Sequence, residues 1–323
     1  MKNIAIVAGG DSSEWVISVQ SAAQVAKEIE RSEYKGYVVQ IRGKQWQVLQ
    51  NNEAIANIDK NDFSFSMNGI KTVFDCALIA IHGTPGEDGK LQSYFELIGL
   101  PYTTCGVLAS ALTFNKHACK LFLKEYNILS AKAVLVKQGK AWDAQSIAKE
   151  LGMPCFVKPN ESGSSFGVTK VTDVEGLSDA VKLALTEGQE VIIEQFIQGT
   201  EVTCGIFKTK AKQLIFPITE IVSKKDFFDY EAKYTLGMSE EITPARISAE
   251  MATLISETTS KIYDALNCRG IVRTDYIISD NRLFFLEVNT VPGMSPNSIV
   301  PKQINEMGLT LAEVYKWIIE DIG

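Results

Sequence analysis

The sequence predicts an α/β protein of two or three compact units, and three observations predict it. The chain has 323 residues, longer than a single hydrophobic core usually spans. Residues 3–8 form a continuous apolar strand, Gly9-Gly10 ends it, and residues 18–29 carry apolar side chains at helical spacing. Strand, glycine turn and helix open an α/β domain. Residues 76–81 are almost wholly apolar, as in a buried parallel strand.

The other elements follow in order. Two short strands are expected at 37–41 and 45–49. After 76–81 come His82-Gly83, the loop GTPGEDG and a helix over 90–98; Pro101-Tyr102 then begins a linker, which puts a first boundary near residue 102. Residues 107–124 read as one helix containing Lys116. Strands at 133–136 and 155–158 flank a helix over 143–151, and 173–185 is another helix. Strand patterns return at 191–196, 202–209 and 213–219. The polar, aromatic stretch 223–245 has no periodicity and reads as a long loop, a feature that usually carries function in a compact protein. A helix over 245–266 leads to two strands, and an amphipathic helix over 310–320 follows.

Composition narrows the function classes. Apolar residues make up 46% and charged residues 22%, which fits a soluble globular protein. The net charge of -7 argues against nucleic acid as a partner. No apolar run reaches the roughly 18 residues of a membrane span, so no membrane partner is expected. The apolar start is too short for a signal peptide. The six cysteines are scattered with no two within three residues, which excludes a local metal knuckle and suggests buried free thiols in a reducing cytoplasm.

The segment RTDYIISDNRLFFLEVNTVPG, 273–293, carries the most chemistry. Side chains alternate along a strand, so Glu287 and Asn289 share a face, as do Arg273 and Asp275. Two carboxylates and an amide oxygen make a hard oxygen site suited to Mg²⁺, which usually carries substrate phosphates in such places. Arg273 reads either as a charge partner of these groups or as a stabiliser of a developing oxyanion. Gly293 offers an unobstructed backbone N–H. FVKPNESGSSFGV, 156–168, is a strand ending in Lys158 and a Gly/Ser loop that offers N–H groups to phosphate, though it is no P-loop. Lys116 by itself reads as a surface lysine. In VIIEQFIQGTEVTCG, 191–205, Glu194 and Glu201 read equally well as ribose ligands or surface carboxylates. Glu14 and His82 lie at C-terminal strand ends, where ligands sit in open α/β sheets. Glu14 could hold an ammonium group, and His82 reads as a ligand or as a structural hydrogen-bonding group. His117 reads as structural.

Taken together, the AGGDSSEWVISVQSA opening, HGTPGEDG, VLASALTFNK, FVKPNESGSSFGV, IEQFIQGTEVT, FFDYEAKYTLG, RTDY and FLEVNTVPGMSPNS resemble the D-alanine–D-alanine ligase family of the ATP-grasp superfamily, in family order and over nearly the whole chain. The resemblance implies three domains: a Rossmann-like parallel-sheet domain over 1–102, a central unit over 103–188, and a catalytic unit over 189–323 with a lid at 223–245. ATP would be held between the last two. Lys116 and Lys158 would contact its phosphates, and Lys233 the nucleotide. Glu194, Glu201 and the hinge backbone at Phe196 and Ile197 would serve the adenine and ribose. Asp275, Glu287 and Asn289 would hold two Mg²⁺, or Mn²⁺. Glu14 would bind the first D-alanine, with Ser164 and Tyr234 joining it to close the site. His82 would also face substrate, and Ser298 would place the second D-alanine's carboxylate. Arg273 and the Gly293 N–H would stabilise the tetrahedral intermediate.

The implied activity joins two D-alanines through an acyl phosphate, with release of ADP and phosphate, for peptidoglycan precursors in the cytoplasm. Members are generally homodimers, so a homodimer is implied. The chain departs from the common pattern at Phe196, where many members carry tryptophan, and in the middle of HGTPGEDG. Neither change removes a functional group. The rival readings are a ligase of the same fold that accepts D-lactate or D-serine, and a nucleotide-binding regulator without catalysis. Tyr234 favours a D-alanine acceptor, and the full set of lysines, arginine and carboxylates speaks against the regulator.

Overall fold

The computed structural model describes residues 1–12, 15–30, 34–163, 167–223 and 239–322. Its strands form three sheets. The first holds β1 Asn3–Gly9, β2 Lys35–Arg42, β3 Gln45–Gln50, β4 Glu53–Asp59, β5 Ser64–Met67, β6 Ile70–Thr72 and β7 Cys76–Ile79, in the order β6-β5-β4-β3-β2-β1-β7. β1 pairs in parallel with β2 and β7, as the strand–glycine–helix opening requires. The expected parallel sheet is thus β2-β1-β7, and beyond β2 it is extended by antiparallel strands. The reason is local. Asn51-Asn52 and Asn68-Gly69 all have positive φ and make two-residue turns, and only antiparallel neighbours can be joined so tightly. The α/β class itself holds.

Helix Trp15–Glu30 lays Ala22, Val25 and Ile29 on Ile4 and Ile6, and helix Leu311–Ile322 closes the same core with Val314 and Ile318. Helix Lys90–Ile98 has the bounds its spacing predicts and packs Phe95 against Phe63 on the opposite face of the sheet.

The second sheet holds β8 Ala133–Lys137, β9 Cys155–Pro159, β10 Thr169–Val171 and β11 Glu190–Gln195, in the order β10-β9-β11-β8. Helices Ala144–Leu151 and Leu177–Ala184 bury Ile147 and Val181 in its core. Because β11 pairs with both β8 and β9, a boundary between 188 and 189 would divide this sheet.

The expected single helix over 107–124 is two helices, Val107–Phe114 and Lys116–Lys124. Asn115 between them is extended, and its side chain accepts from the Ala118 N–H as an N-cap. The apolar spacing runs through the break, so periodicity alone hides it.

The third sheet holds β12 Thr200–Lys208, β13 Gln213–Ile215, β14 Thr219–Ser223, β15 Ser239–Ile242, β16 Gly270–Ser279 and β17 Arg282–Asn289. Their order is β15-β14-β12-β16-β17, with β13 on β12. Helix Ala249–Ala265 covers it with Ile255 and Ile262. Part of the expected loop 223–245 is therefore strand, since β15 pairs antiparallel with β14. Helix Ile299–Glu306 has no counterpart in the periodicity reading; Pro301 fits its first turn, where no intrahelical N–H is needed. All six cysteines are buried free thiols. Among the described residues no helix is long and apolar enough to cross a membrane.

Candidate active site

The acidic strands are aligned by a turn and a bulge. Asp280 and Asn281 both have positive φ and join β16 to β17 in a two-residue hairpin. Register then runs from Ser279↔Arg282 to Tyr276↔Phe285, where it shifts. Asp275 consequently faces Glu287, with Leu286 as the extra residue, and Arg273 faces Asn289. Without that bulge Asp275 would oppose Leu286.

Asp275 is almost fully buried and densely bonded. The Arg273 guanidinium grips it with Nε and Nη2, at 2.9 and 2.8 Å. The Asn289 amide donates to it at 3.0 Å, and the Thr203 hydroxyl of β12 at 2.5 Å. A buried carboxylate with this many donors is fixed in place, and so is the arginine that forks it.

A second charged group assembles on the central sheet. Lys158 on β9 and Glu194 on β11 are buried and lie 2.6 Å apart, and Lys120 reaches the other Glu194 oxygen from helix Lys116–Lys124. Burial would raise the Glu194 carboxyl, but Lys120 and Lys158 overcome it and hold it down to about 2. Burial lowers the Lys120 amine despite Glu194. Burial would also lower Lys158, but Glu194 and Glu287 prevail and keep it above the usual lysine value. Two cations sharing one carboxylate carry a net positive charge, which suits a phosphate.

Lys116 joins the two groups. It starts its helix one turn before Lys120, donates to the Ser162 carbonyl, and lies 3.8 Å from Glu287. Burial pushes its amine down, against the pull of Glu287. Its helix start is tied to the loop after β9: the Lys116 N–H donates to the Asn160 carbonyl and the His117 N–H to the Asn160 side chain, at 3.1 and 2.9 Å. Lys116 thus belongs to the charged cluster and is not a surface lysine. Lys120 is the residue that sequence reasoning missed. Its spacing of four from Lys116, on one helix face, was the available signal.

The other expected residues distribute as follows. Phe196, after β11, is partly buried, lies 5.8 Å from the Phe156 ring, and has the Lys170 ammonium 4.6 Å from its own. Ile197 follows it, partly buried, and Glu201 pairs in β12 between β14 and β16. Gly293 lies so close to Ser298 that a Cβ there would stand 2.9 Å from the serine Oγ. Ser298 is the N-cap of helix Ile299–Glu306, yet its hydroxyl meets that of Ser295 at 2.8 Å and caps nothing. His82, expected to face substrate, is buried, with one ring nitrogen on the Val291 carbonyl and the other on the Ser21 hydroxyl, which places it as a support of the 291–294 loop. Glu14, Ser164, Lys233 and Tyr234 lie outside the described residues.

Among the described residues no group of three or more His, Cys, Asp or Glu side chains is arranged to hold a metal ion. Asp275 and Glu287 would need the Asn289 amide oxygen to complete a donor set. That set is all oxygen and fits Mg²⁺ or Mn²⁺.

Comparison with known proteins agrees with this geometry. Residues 3–105 match the family model described as D-ala D-ala ligase N-terminus, and residues 119–320 match D-ala D-ala ligase C-terminus. The chain is 50% identical over 321 residues to a D-alanine–D-alanine ligase of Parabacteroides distasonis, covering 99% of this chain and 97% of that one. Among solved structures it is similar to the VanG D-Ala:D-Ser ligase of Enterococcus faecalis, with TM-score 0.85, 30% identity and coverage of 100% and 99%. It is also similar to a D-alanine–D-alanine ligase of Bacillus anthracis complexed with ATP, with TM-score 0.78, 26% identity and coverage of 99% and 97%. With both family models matched in order across an ATP-grasp arrangement of three sheets, the chain belongs to the D-alanine–D-alanine ligase family.

Proposed function

We propose that this chain uses ATP to join two D-alanine molecules into D-alanyl-D-alanine, releasing ADP and phosphate. The observation that carries the reading is the 3.8 Å approach of Lys116 to Glu287, which brings the buried lysine group and the Arg273–Asp275 group to one site. A carboxylate is a poor electrophile, so it must first be activated as an acyl phosphate. Lys116 and Lys158 hold the phosphates through the transfer. Glu194, expected at the adenine and ribose, is buried between Lys120 and Lys158 and with Lys120 holds Lys158 instead. Phe196, Ile197 and Glu201 serve the adenine and ribose. Arg273 and the Gly293 N–H offset the oxyanion that forms when the second amine attacks. Ser298 places the second D-alanine's carboxylate. Glu14, Ser164, Lys233 and Tyr234 are assigned to substrate, nucleotide and closure from the family resemblance.

Asp275, Glu287 and Asn289 would hold the divalent metal, which when bound supplies charge neutralisation to the phosphates. The chain divides into three units with the second boundary after β11 rather than at 188, so that the central sheet stays whole. The resemblance supports a homodimer, and the six free thiols suit a cytoplasmic setting.

The acceptor follows from similarity. The relative at 50% identity is named for D-alanine, whereas the D-Ala:D-Ser ligase stands at 30%. The test is ATP- and Mg²⁺-dependent phosphate release with D-alanine alone, with L-alanine, and with D-alanine plus D-serine or D-lactate, with the product weighed by mass spectrometry. D-Alanyl-D-alanine from D-alanine alone is the expected result. Turnover only with a mixed acceptor would keep the chemistry and overturn the substrate.

A further inference from the structure

We propose that His82 and Ser21 are positioning residues: together they hold the 291–294 loop, and with it the Gly293 N–H, in place for the reaction. The proposal rests on the ligase reading above and adds two groups that act through the loop.

His82 follows β7 in the N-terminal sheet and is 5% exposed. Its Nδ1 lies 2.8 Å from the Val291 carbonyl, 209 residues away in the chain. A carbonyl only accepts, so Nδ1 carries the proton in this contact. In the neutral ring Nε2 is then an acceptor, and the Ser21 hydroxyl lies 3.1 Å from it. Ser21 is fully buried and accepts from the Met294 N–H at 3.3 Å. The bonds therefore run from Met294 N–H to Ser21, from the Ser21 hydroxyl to His82 Nε2, and from His82 Nδ1–H to the Val291 carbonyl. The two ends grip the loop on either side of Gly293.

Ser21 is itself well placed to do this. One turn earlier on the same helix, the buried Ser18 donates to the Ala80 carbonyl at 2.7 Å and accepts from the Gly9 N–H at 2.8 Å. That pair fixes the helix to β1 and to the segment just after β7, and Ser21 is presented from a rigid base. A backbone donor aimed at a developing charge works only if its position is set in advance. The N-terminal sheet thus contributes to catalysis without touching the reacting atoms.

Three variants of the full-length chain separate the contacts. Ser21→Ala removes the donor to Nε2 and the acceptor for Met294. His82→Asn keeps a donor near Nδ1, and His82→Gln keeps a polar group near Nε2. ADP release is measured at saturating ATP and D-alanine, alongside hydrogen–deuterium exchange of a peptide covering 289–298. We expect Ser21→Ala to lower kcat by about tenfold to a hundredfold, with KM for ATP within about twofold of wild type and faster exchange at Met294. His82→Asn should lose less kcat than His82→Gln. Unchanged exchange in Ser21→Ala, or faster exchange with unaltered kcat, would overturn the proposal. If wild type releases no ADP with D-alanine, the substrate reading fails, and the exchange experiment alone decides whether the clamp exists.

Discussion

The Lys158 ammonium lies 2.6 Å from the Glu194 carboxylate, and both side chains are shut away from solvent. Lys120 completes the group from the other side. Such a carboxylate is the direct ion-pair partner of two buried cations. Glu194→Gln should therefore destabilise the fold by about 3–5 kcal/mol, read by urea unfolding at neutral pH. The sign of its pH dependence follows from the depressed carboxyl. The stability Glu194 contributes is complete above its ordinary value of 4.5 and is lost as pH falls toward about 2. The variant should lack that part of the acid dependence. Equal unfolding midpoints for the two proteins at neutral pH would contradict the pairing.

Lys116 has a different balance. Its carboxylate contact, Glu287, is longer at 3.8 Å, so removing the lysine leaves less behind unpaired. Lys116→Met should keep the protein folded and raise KM for ATP by about tenfold to a hundredfold, the value of a hydrogen bond to a charged group. A KM for ATP equal to wild type would remove Lys116 from the phosphate site.

Arg273 forks Asp275 with two nitrogens, a geometry that a lysine cannot copy. Arg273→Lys should lower kcat by about a hundredfold to a thousandfold, with KM for ATP little changed. The circular dichroism spectrum should be that of wild type. Retained kcat would show that Arg273 serves only as a charge partner.

Glu287 tests the metal assignment. Chelation of divalent cations should abolish turnover, and restored Mg²⁺ should recover it. In Glu287→Gln the Mg²⁺ concentration for half-maximal rate should rise by about tenfold or more, since one ligand has lost its charge. An identical Mg²⁺ titration in the variant would place the metal elsewhere.

The sequence by itself determined a good deal. Apolar spacing marks helix Lys90–Ile98 to its ends, and the alternation in FFLEVN puts Glu287 and Asn289 on one face. The order of motifs identifies the family. These signals lie within windows of a few residues, and the physics that writes them is local: side-chain direction repeats along a helix or strand. Tertiary structure decided the rest. The bulge opposite Asp275 sets which residue faces it, although the run of apolar side chains in β17 looks regular. Lys120 is buried because Glu194 stands 74 residues away to receive it. His82, after β7 of the first sheet, meets Val291, after β17 of the third, 209 residues away. A charged or polar side chain has no fixed environment of its own. It goes inside only where a partner waits, and the fold alone decides which distant residue that partner is.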